Sequence, residues 1–383
     1  MDYADARVVA LDAAPAWDRY AHWPRGLARL ALGLLGTLLL LAAWAPGYAP
    51  PPAAPPKVVA THADGRTSVE QEDDNDLRFY RLVIERVKRG DDYYVVATEE
   101  QRRNGYPVAP GLTVRLPTLA FVSAWAGPAG LIALELALFT GMMLANARRF
   151  AAEPGGARFR LVGVALLFMG ISSGLNFQYN VLHEIWVAQL IALAFGLHRP
   201  VEGKWGAAWL AAAAALAVRE LALPFVLLLA VYAAWHRRWR ECAGWAALIV
   251  LFAALLMVHL SLAEAHIRSG DQHSPSWLVL GGLSGVLYKM INSTGLSLLP
   301  VWAAGPLVVL ALFGWTGWKA PMGEFATLLT WGYALAFAIA GRDNNFYWGV
   351  TIAPMLFMGF AMLPMALPSL WKRALENRAL AHG

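Results

Sequence analysis

The sequence predicts an all-helical protein that crosses a membrane many times. Of its 383 residues, 58% are hydrophobic and only 15% are charged, and the apolar residues fall in long blocks. Soluble domains rarely combine such blocks with so little charge. Since a segment inside a bilayer must satisfy its own backbone hydrogen bonds, long apolar blocks are expected to form helices.

About ten apolar blocks indicate about ten transmembrane helices. Each block holds roughly 20 residues, the length that a helix needs to cross the hydrocarbon core. The fifth and sixth blocks are short and share Arg219 and Glu220 at their joint, so they form either a hairpin or one long helix broken at Pro224. The predicted spans are 27–46, 118–146, 160–175, 179–197, 205–219, 220–235, 242–262, 296–317, 324–340 and 346–370.

Basic residues in alternate short loops predict the orientation. Arg149, Arg238 and Lys372 each lie in or next to a different basic loop or tail, and the predicted spans place all three on one side of the membrane. Because cytoplasmic loops are rich in Lys and Arg, we expect both termini in the cytoplasm and a multi-pass protein of the cytoplasmic (inner) membrane. The predicted organisation is a cytoplasmic segment 1–26, a transmembrane domain 27–371 with a first extracytoplasmic loop 47–117, and a cytoplasmic tail 372–383.

Composition also limits the chemistry. The formal net charge of +5 comes mainly from short loops, which does not favour nucleic acid as a partner, and the lipid bilayer is the expected surroundings. Cys242 is the only cysteine, so the sequence predicts neither an intrachain disulfide nor a cysteine metal cluster. No glycine-rich nucleotide loop and no His-Glu-x-x-His pattern occurs. We predict no protein metal site, and the use of a divalent cation stays open.

The first extracytoplasmic loop contains a cluster of acids before an amphipathic helix. Glu72 to Asp76 are polar or acidic, and apolar residues then recur at helical spacing from Leu77 until Gly90. One of the carboxylates could act as a general base on an acceptor hydroxyl. Asp74 or Asp76 could equally cap the helix, because Asp is a preferred N-cap residue.

Two stretches of this loop resemble the first-loop motif of GT-C fold glycosyltransferases. The run Asp76-Leu-Arg-Phe-Tyr80 followed by Gly90-Asp-Asp-Tyr-Tyr94 is similar to their acid, aromatic, helix and acid–tyrosine pattern. The stretch from Asn104 to Pro117, with Tyr106-Pro107-Val108, is similar to the Tyr-Pro-Pro element before their second span. The resemblance implies a GT-C-like fold of about ten transmembrane helices, with amphipathic helices in the extracytoplasmic first loop.

The same resemblance implies an activity. Members of this family transfer a sugar from a polyprenyl-phosphate donor, so we expect a glycan, lipid or protein of the cell envelope as the acceptor. Carried over by position, Asp76 is the first candidate for the catalytic base and Asp74 the second. Tyr80, Asp91 and Asp92 then become substrate-binding candidates. The acids stand farther behind the first span than in this family, so the choice among Asp73, Asp74, Asp76, Asp91 and Asp92 stays open.

Polar residues at the predicted outer ends of later spans complete the candidate site. Arg219 could hold the donor phosphate, or it could form only a local ion pair with Glu220. His183 and Glu184 could orient a substrate or belong to a structural hydrogen-bond network between helices. The remaining candidates for substrate binding are Arg115, Arg342 and Tyr347.

Two other classes of function remain possible from the sequence. A transporter or flippase for a lipid or small solute would use intramembrane charges such as Arg219 and Glu220 as its path. A non-catalytic membrane scaffold would use the first loop as a docking surface. Transporters often carry internal repeats, and we find none here.

Overall fold

The computed structural model describes residues 14–45, 57–61, 67–70 and 73–376, with the backbone alone for 57–61, 67–70, 73–75 and 173. These residues form a helical bundle and one short antiparallel hairpin, in which Lys57 lies opposite Glu70. The sequence does not predict this hairpin. The proline-rich run 49–56, which the sequence predicts to be extended, lies outside the described residues.

The α-helices and strands follow one another in a simple order. They are α1 (Arg25–Trp44), β1 (Lys57–Thr61), β2 (Thr67–Glu70), α2 (Asp73–Lys88), α3 (Tyr93–Arg103), α4 (Thr118–Ala152), α5 (Arg160–Ile171), α6 (His183–Leu197), α7 (Gly206–Val218), α8 (Leu223–Trp235), α9 (Trp239–Glu264), α10 (Gly282–Asn292), α11 (Val301–Thr316), α12 (Pro321–Ile339), α13 (Ala353–Met358) and α14 (Leu363–Leu375). A 3₁₀ segment, Asp343–Ile352, connects α12 to α13.

The chain is a helical membrane protein. Each of the ten predicted stretches contains helix, but among the described residues five helical stretches are long and apolar enough to cross a bilayer. The others are shorter apolar helices, including α6, α7, α8 and α11. The number of crossings therefore stays a prediction. The five long stretches are Arg25–Trp44, Gly111–Ala152, Trp239–Glu264, Pro321–Ile339 and Asp343–Leu375.

Helix α4 is longer than a membrane requires, and it is bent. Its 35 residues would extend about 50 Å as a straight helix, against roughly 30 Å for the hydrocarbon core. The bend falls at Gly127, whose φ of 67° is outside the helical region, just before Pro128. Glycine tolerates this φ and proline cannot continue the preceding hydrogen-bond ladder. The first two turns of α4 therefore belong to the loop region that carries α2 and α3.

Helices α6 to α9 define two ends of the bundle. His183 begins α6, and His198 follows its last residue. His198 Nε2 lies 2.6 Å from Glu241 Oε1 in the first turn of α9, and Arg238, just after α8, pairs with the same Glu241. Helix α8 thus returns to the end where α6 finishes. This arrangement favours the hairpin for α7 and α8, with Arg219 and Glu220 at the end where α6 begins.

Helices α2 and α3 form a small apolar core of their own outside the long helices. Phe79, Val83 and Val87 on α2 are buried, as are Tyr93 and Val96 on α3. The sequence correctly predicts the amphipathic helix and its end at Gly90, whose φ is +95°. Its apolar face is covered by protein, because α3 and the start of α4 pack against it.

Candidate functional site

Asp76 lies in the first turn of α2, where its carboxylate accepts a hydrogen bond from a tyrosine. The donor is the hydroxyl of Tyr106, in the loop after α3. Burial raises the pKa of Tyr106, and the hydrogen bond to Asp76 raises it further, so the phenol stays protonated and donates at neutral pH. Helix α2 begins at Asp73, which makes the N-cap interpretation wrong for Asp76. The side chain of Asp74 lies outside the described residues.

Tyr80 connects α2 to two later parts of the chain. It lies one helical turn after Asp76, so both side chains project from the same face of α2. Its ring centroid is 5.2 Å from that of His183, at the start of α6. Its hydroxyl accepts a hydrogen bond from Arg115 Nε at 3.4 Å. The loop helix is thereby attached to the bundle through an aromatic residue.

Arg115 makes its hydrogen bonds to the hydroxyl groups of two tyrosines. Besides Tyr80, it donates from Nη2 to the hydroxyl of Tyr347 at 3.2 Å. The same hydroxyl accepts from Asn345 Nδ2 at 3.3 Å. Neither hydrogen-bond partner of Arg115 is a carboxylate, and the carboxylate that acts on it electrostatically, Glu220, is not bonded to it.

Arg219 has carboxylate neighbours instead, although within the described part of the chain none of its nitrogens is in hydrogen-bonding geometry with them. It is 1% exposed and forms an ion pair with the buried Glu184, the second residue of α6. Glu220 Oε1 lies 3.5 Å from Arg219 Nε, and the guanidinium stands 5.7 Å from the ring centroid of Tyr347. Removing one member of such a pair leaves a buried charge without compensation, which is strongly destabilising.

These contacts join the first loop, the start of α6, the α7–α8 joint and the 343–352 segment into one site. We call it the acid–arginine cluster. Its members are Asp76, Tyr80, Tyr106, Arg115, His183, Glu184, Arg219, Glu220, Asn345 and Tyr347. His183 is 4% exposed and packs against Tyr80, so it contributes a nitrogen beside the two arginines.

The other predicted site residues have different contacts. Asp91 pairs with Arg86 at 3.0 Å. Asp92 caps α3, accepting from the amides of Tyr94 and Val95 at 2.9 and 3.0 Å. Arg342 donates to Ser274 Oγ at 3.2 Å and stands 5.8 Å from the ring centroid of Trp277. Their roles in substrate binding stay predictions, and the geometry gives each of the three a structural contact.

Two members of the cluster are not singled out by the sequence as binding residues. Tyr106 belongs to the stretch that carries the resemblance, but nothing in its spacing shows that it reaches Asp76, 30 positions earlier. Asn345 lies beside the predicted Tyr347, in a polar run that is typical of an ordinary turn. Only the fold places these residues next to the predicted ones.

Within the part of the chain that the structure describes, no group of three or more His, Cys, Asp or Glu residues is placed to hold a metal ion. The cluster is therefore an arrangement of three acids, of which Asp76 is the most exposed, together with several tyrosines and two arginines. Such a set can accept a proton at Asp76 and bind an anion at Arg115.

Comparison of the chain with protein-family models, with curated proteins and with solved structures gives no match.

Proposed function

We propose that this chain is a membrane glycosyltransferase that moves a sugar from a polyprenyl-phosphate donor to an envelope glycan, lipid or protein. The observation that carries the proposal is that one cluster contains both an accessible carboxylate and an arginine whose hydrogen-bond partners are phenol hydroxyls, with no carboxylate bonded to it. Asp76 is exposed, and Arg115 is held at the same site by Tyr80 and Tyr347. The resemblance of the first loop to GT-C fold enzymes points to the same chemistry.

The reaction follows from the roles of these groups. Asp76 removes the proton from an acceptor hydroxyl, and the resulting oxygen attacks the anomeric carbon of the sugar. The bond from that carbon to the phosphate oxygen breaks as the new glycosidic bond forms. Negative charge grows on the leaving phosphate, where fixed positive groups stabilise it. A single displacement inverts the configuration of the sugar.

Arg115 is the better candidate for the phosphate than Arg219. A phosphate that approaches Arg219 must compete with Glu184 and Glu220, which already pair with it. Arg115 offers a guanidinium whose planar set of donors matches phosphate oxygens and whose present partners are phenols. Arg219 then serves to hold α6, the α7–α8 joint and Tyr347 in place around the bound donor.

The acceptor side of the site is proposed to face the outside of the cell. In that orientation α2, α3 and the cluster lie on the extracytoplasmic side of the inner membrane, with both termini in the cytoplasm. The support is the distribution of basic residues, since Arg238 and Lys204 lie at the opposite end of the bundle from Asp76. A lipid-linked donor needs no nucleotide on that side.

The test compares two variants of the same helix. Asp76→Asn removes the proposed base, while Glu85→Gln neutralises an exposed acid about two and a half turns farther along α2. In purified protein reconstituted in vesicles, we expect Asp76→Asn to slow transfer of a labelled sugar from polyprenyl phosphate roughly 100-fold or more, the size of a general-base contribution. Glu85→Gln should transfer at the wild-type rate. Equal rates for the two variants would contradict the assignment of Asp76.

One observation favours a transporter as the second candidate. Glu135 on α4 is fully buried, and neither of its carboxylate oxygens has a hydrogen-bond partner among the described residues. Intramembrane acids of this kind often carry protons or substrates. Glu135→Gln should leave sugar transfer unchanged if the chain is the proposed enzyme. A protein that transfers no sugar but moves a solute across vesicles, and loses that movement in Glu135→Gln, would be a transporter.

A further inference from the structure

The end of the bundle opposite to the acid–arginine cluster contains a second group of buried charges. It forms where α4, α6 and α8 end and where α9 begins. We call it the far-end cluster, and its members are Arg149, Glu153, His198, Tyr232, Arg238 and Glu241. In the sequence, Arg149 and Arg238 serve only to indicate orientation, since basic loops are expected there in any membrane protein.

Arg149 is buried with part of its guanidinium unused. The side chain is 1% exposed, its Nη1 donates to the carbonyl of Phe195, and its Nε lies 3.4 Å from Glu153 Oε1. The guanidinium also stands 4.9 Å from the centroid of the Phe195 ring. Its Nη2 is buried and has no acceptor among the described residues.

Arg238 presents a similar shortage of acceptors. Its guanidinium stands 5.3 Å from the centroid of the Tyr232 ring. Nη1 lies 3.0 Å from Glu241 Oε2 but outside hydrogen-bonding geometry, and Nε and Nη2 have no acceptor within the described part of the chain. Glu241 cannot supply more, because its Oε1 already interacts with His198 Nε2 at 2.6 Å and Trp245 Nε1 at 3.1 Å.

Buried donors without acceptors are costly, and most buried polar groups in proteins do have partners. The two arginines lie at the same end of α6, because Arg149 donates to the carbonyl of Phe195, three residues before His198, and Arg238 pairs with the Glu241 that contacts His198. A tetrahedral oxyanion offers several acceptor oxygens at once, and guanidinium groups bind such oxygens in pairs. Arg238 sits in the loop between α8 and α9 with a side chain that is 21% exposed, so we expect an anion to approach the cluster from this end of the bundle.

We propose that the far-end cluster binds a phosphate group between Arg149 and Arg238. The phosphate is carried either by the headgroup of an anionic lipid or by a free phosphate-bearing molecule, since both present the same oxygens to the same donors. The exposed basic residues Arg237 and Arg240 lie close to Arg238 in the chain, and their charge attracts either one. This site is separate from the one that contains Asp76, and the inference does not depend on sugar transfer.

The experiment measures phosphate binding in full-length protein held in nanodiscs of zwitterionic lipid. One arm titrates inorganic phosphate and follows the melting temperature by tryptophan fluorescence. The other replaces part of the lipid with phosphatidylglycerol and counts retained lipids by native mass spectrometry. A response to inorganic phosphate identifies a free phosphate as sufficient, and retention of phosphatidylglycerol alone identifies a lipid headgroup.

The variants are Arg238→Gln and Arg149→Gln, with Arg199→Gln as the matched control. Arg199 is a nearby half-buried arginine that pairs with Glu202 and lacks the unpaired buried donors. We expect binding to weaken about tenfold or more in either cluster variant, as loss of a charge-assisted hydrogen bond implies, and to change less than about twofold in the control. Arg238→Gln is the more conservative change should Arg149→Gln prevent folding.

Two results would overturn the proposal. Wild-type protein that binds neither inorganic phosphate nor phosphatidylglycerol more tightly than zwitterionic lipid has no phosphate site at this end. Folded Arg238→Gln protein that binds either probe as tightly as wild type shows that the buried donors are satisfied by water. Sugar transfer can remain intact in both cases, so failure here is distinguishable from failure of the proposed enzyme activity.

Discussion

Arg115 and Arg219 lie in one cluster and differ in the charge of their partners. Arg219 pairs with Glu184 and Glu220, whereas Arg115 donates to Tyr80 and Tyr347. A buried arginine that is already paired mainly stabilises the fold, and one bonded to neutral oxygens keeps its charge for an incoming anion. The two residues should therefore respond differently to substitution.

Arg115→Lys should reduce transfer while leaving the protein folded. Lysine keeps the positive charge but presents it as a single point in place of a planar fork, so the phosphate is held less well in the transition state. We expect kcat/KM for the polyprenyl-phosphate donor to fall about 10- to 100-fold, measured by steady-state transfer of labelled sugar. Arg103→Lys, an exposed change on α3, serves as the control. If both variants retain wild-type kcat/KM, Arg115 does not hold the donor phosphate.

The sequence predicts individual site residues where a charged or polar side chain interrupts or borders an apolar block. Charges at the ends of apolar blocks indicate His183, Glu184 and Arg219, because charge near a membrane is rarely without a role. Tyr106 and Asn345 give no such signal, since tyrosine and asparagine are common in loops. The assignment of the phosphate to Arg115 also needs the structure, because only the contacts show which arginine lacks a carboxylate partner.

At the scale of elements, α3 is attached to the loop after α9 by a single strong ion pair. Arg102 donates to both carboxylate oxygens of Asp271, at 2.6 and 2.7 Å. These hydrogen bonds lower the pKa of Asp271 to about 2, from an ordinary value of 3.8. Asp271 also accepts from the amide of Arg268 and so organises its own loop.

Because of this ion pair, the stability of the outer loops is expected to fall at acidic pH. The pKa of Asp271 is depressed in the folded state, so its contribution to stability is complete above the ordinary pKa and is lost as the pH falls from about 4 towards 2. Arg102→Gln should lower the melting temperature at pH 6 and flatten its fall between pH 5 and pH 2. Tryptophan fluorescence in nanodiscs measures both. A variant at the exposed Arg89 should keep the wild-type pH profile, and a steep wild-type-like fall in Arg102→Gln would contradict this account.

The sequence predicts the positions of the helices better than it predicts their lengths. All ten apolar blocks contain helix, because block length and apolar content are local properties. The 35-residue α4 is longer than the predicted span 118–146, and the 15-residue α6 is shorter than the predicted span 179–197, whereas α7 and α8 are short as expected. Gly127 and Pro128 bend α4. Close packing in the bundle interior stabilises helices that are too short to span a bilayer alone. The covered face of α2 likewise depends on α3, which lies elsewhere in the chain.

At the scale of the whole molecule, the proposed function requires the end of the bundle that contains Asp76 to face the outside of the cell. Cys242 is the only cysteine, so a Cys242→Ser background allows single cysteines to report sidedness. We expect Glu85→Cys, on α2, to react with a membrane-impermeant maleimide in intact cells. Lys204→Cys, in the turn between α6 and α7, should react only after the membrane is opened. The opposite pattern would place Asp76 in the cytoplasm and exclude a donor presented from the outer leaflet.

The most direct test of the central claim locates the lipid phosphate itself. A polyprenyl phosphate with a photoreactive group beside its phosphate is bound to the purified full-length protein, activated by light, and the labelled peptides are identified by mass spectrometry. The account predicts labels on the peptides that contain Arg115, Tyr347 and Arg219, with competition by unlabelled donor. Labelling confined to the far-end cluster or to lipid-facing helices, with none near Arg115, would contradict it.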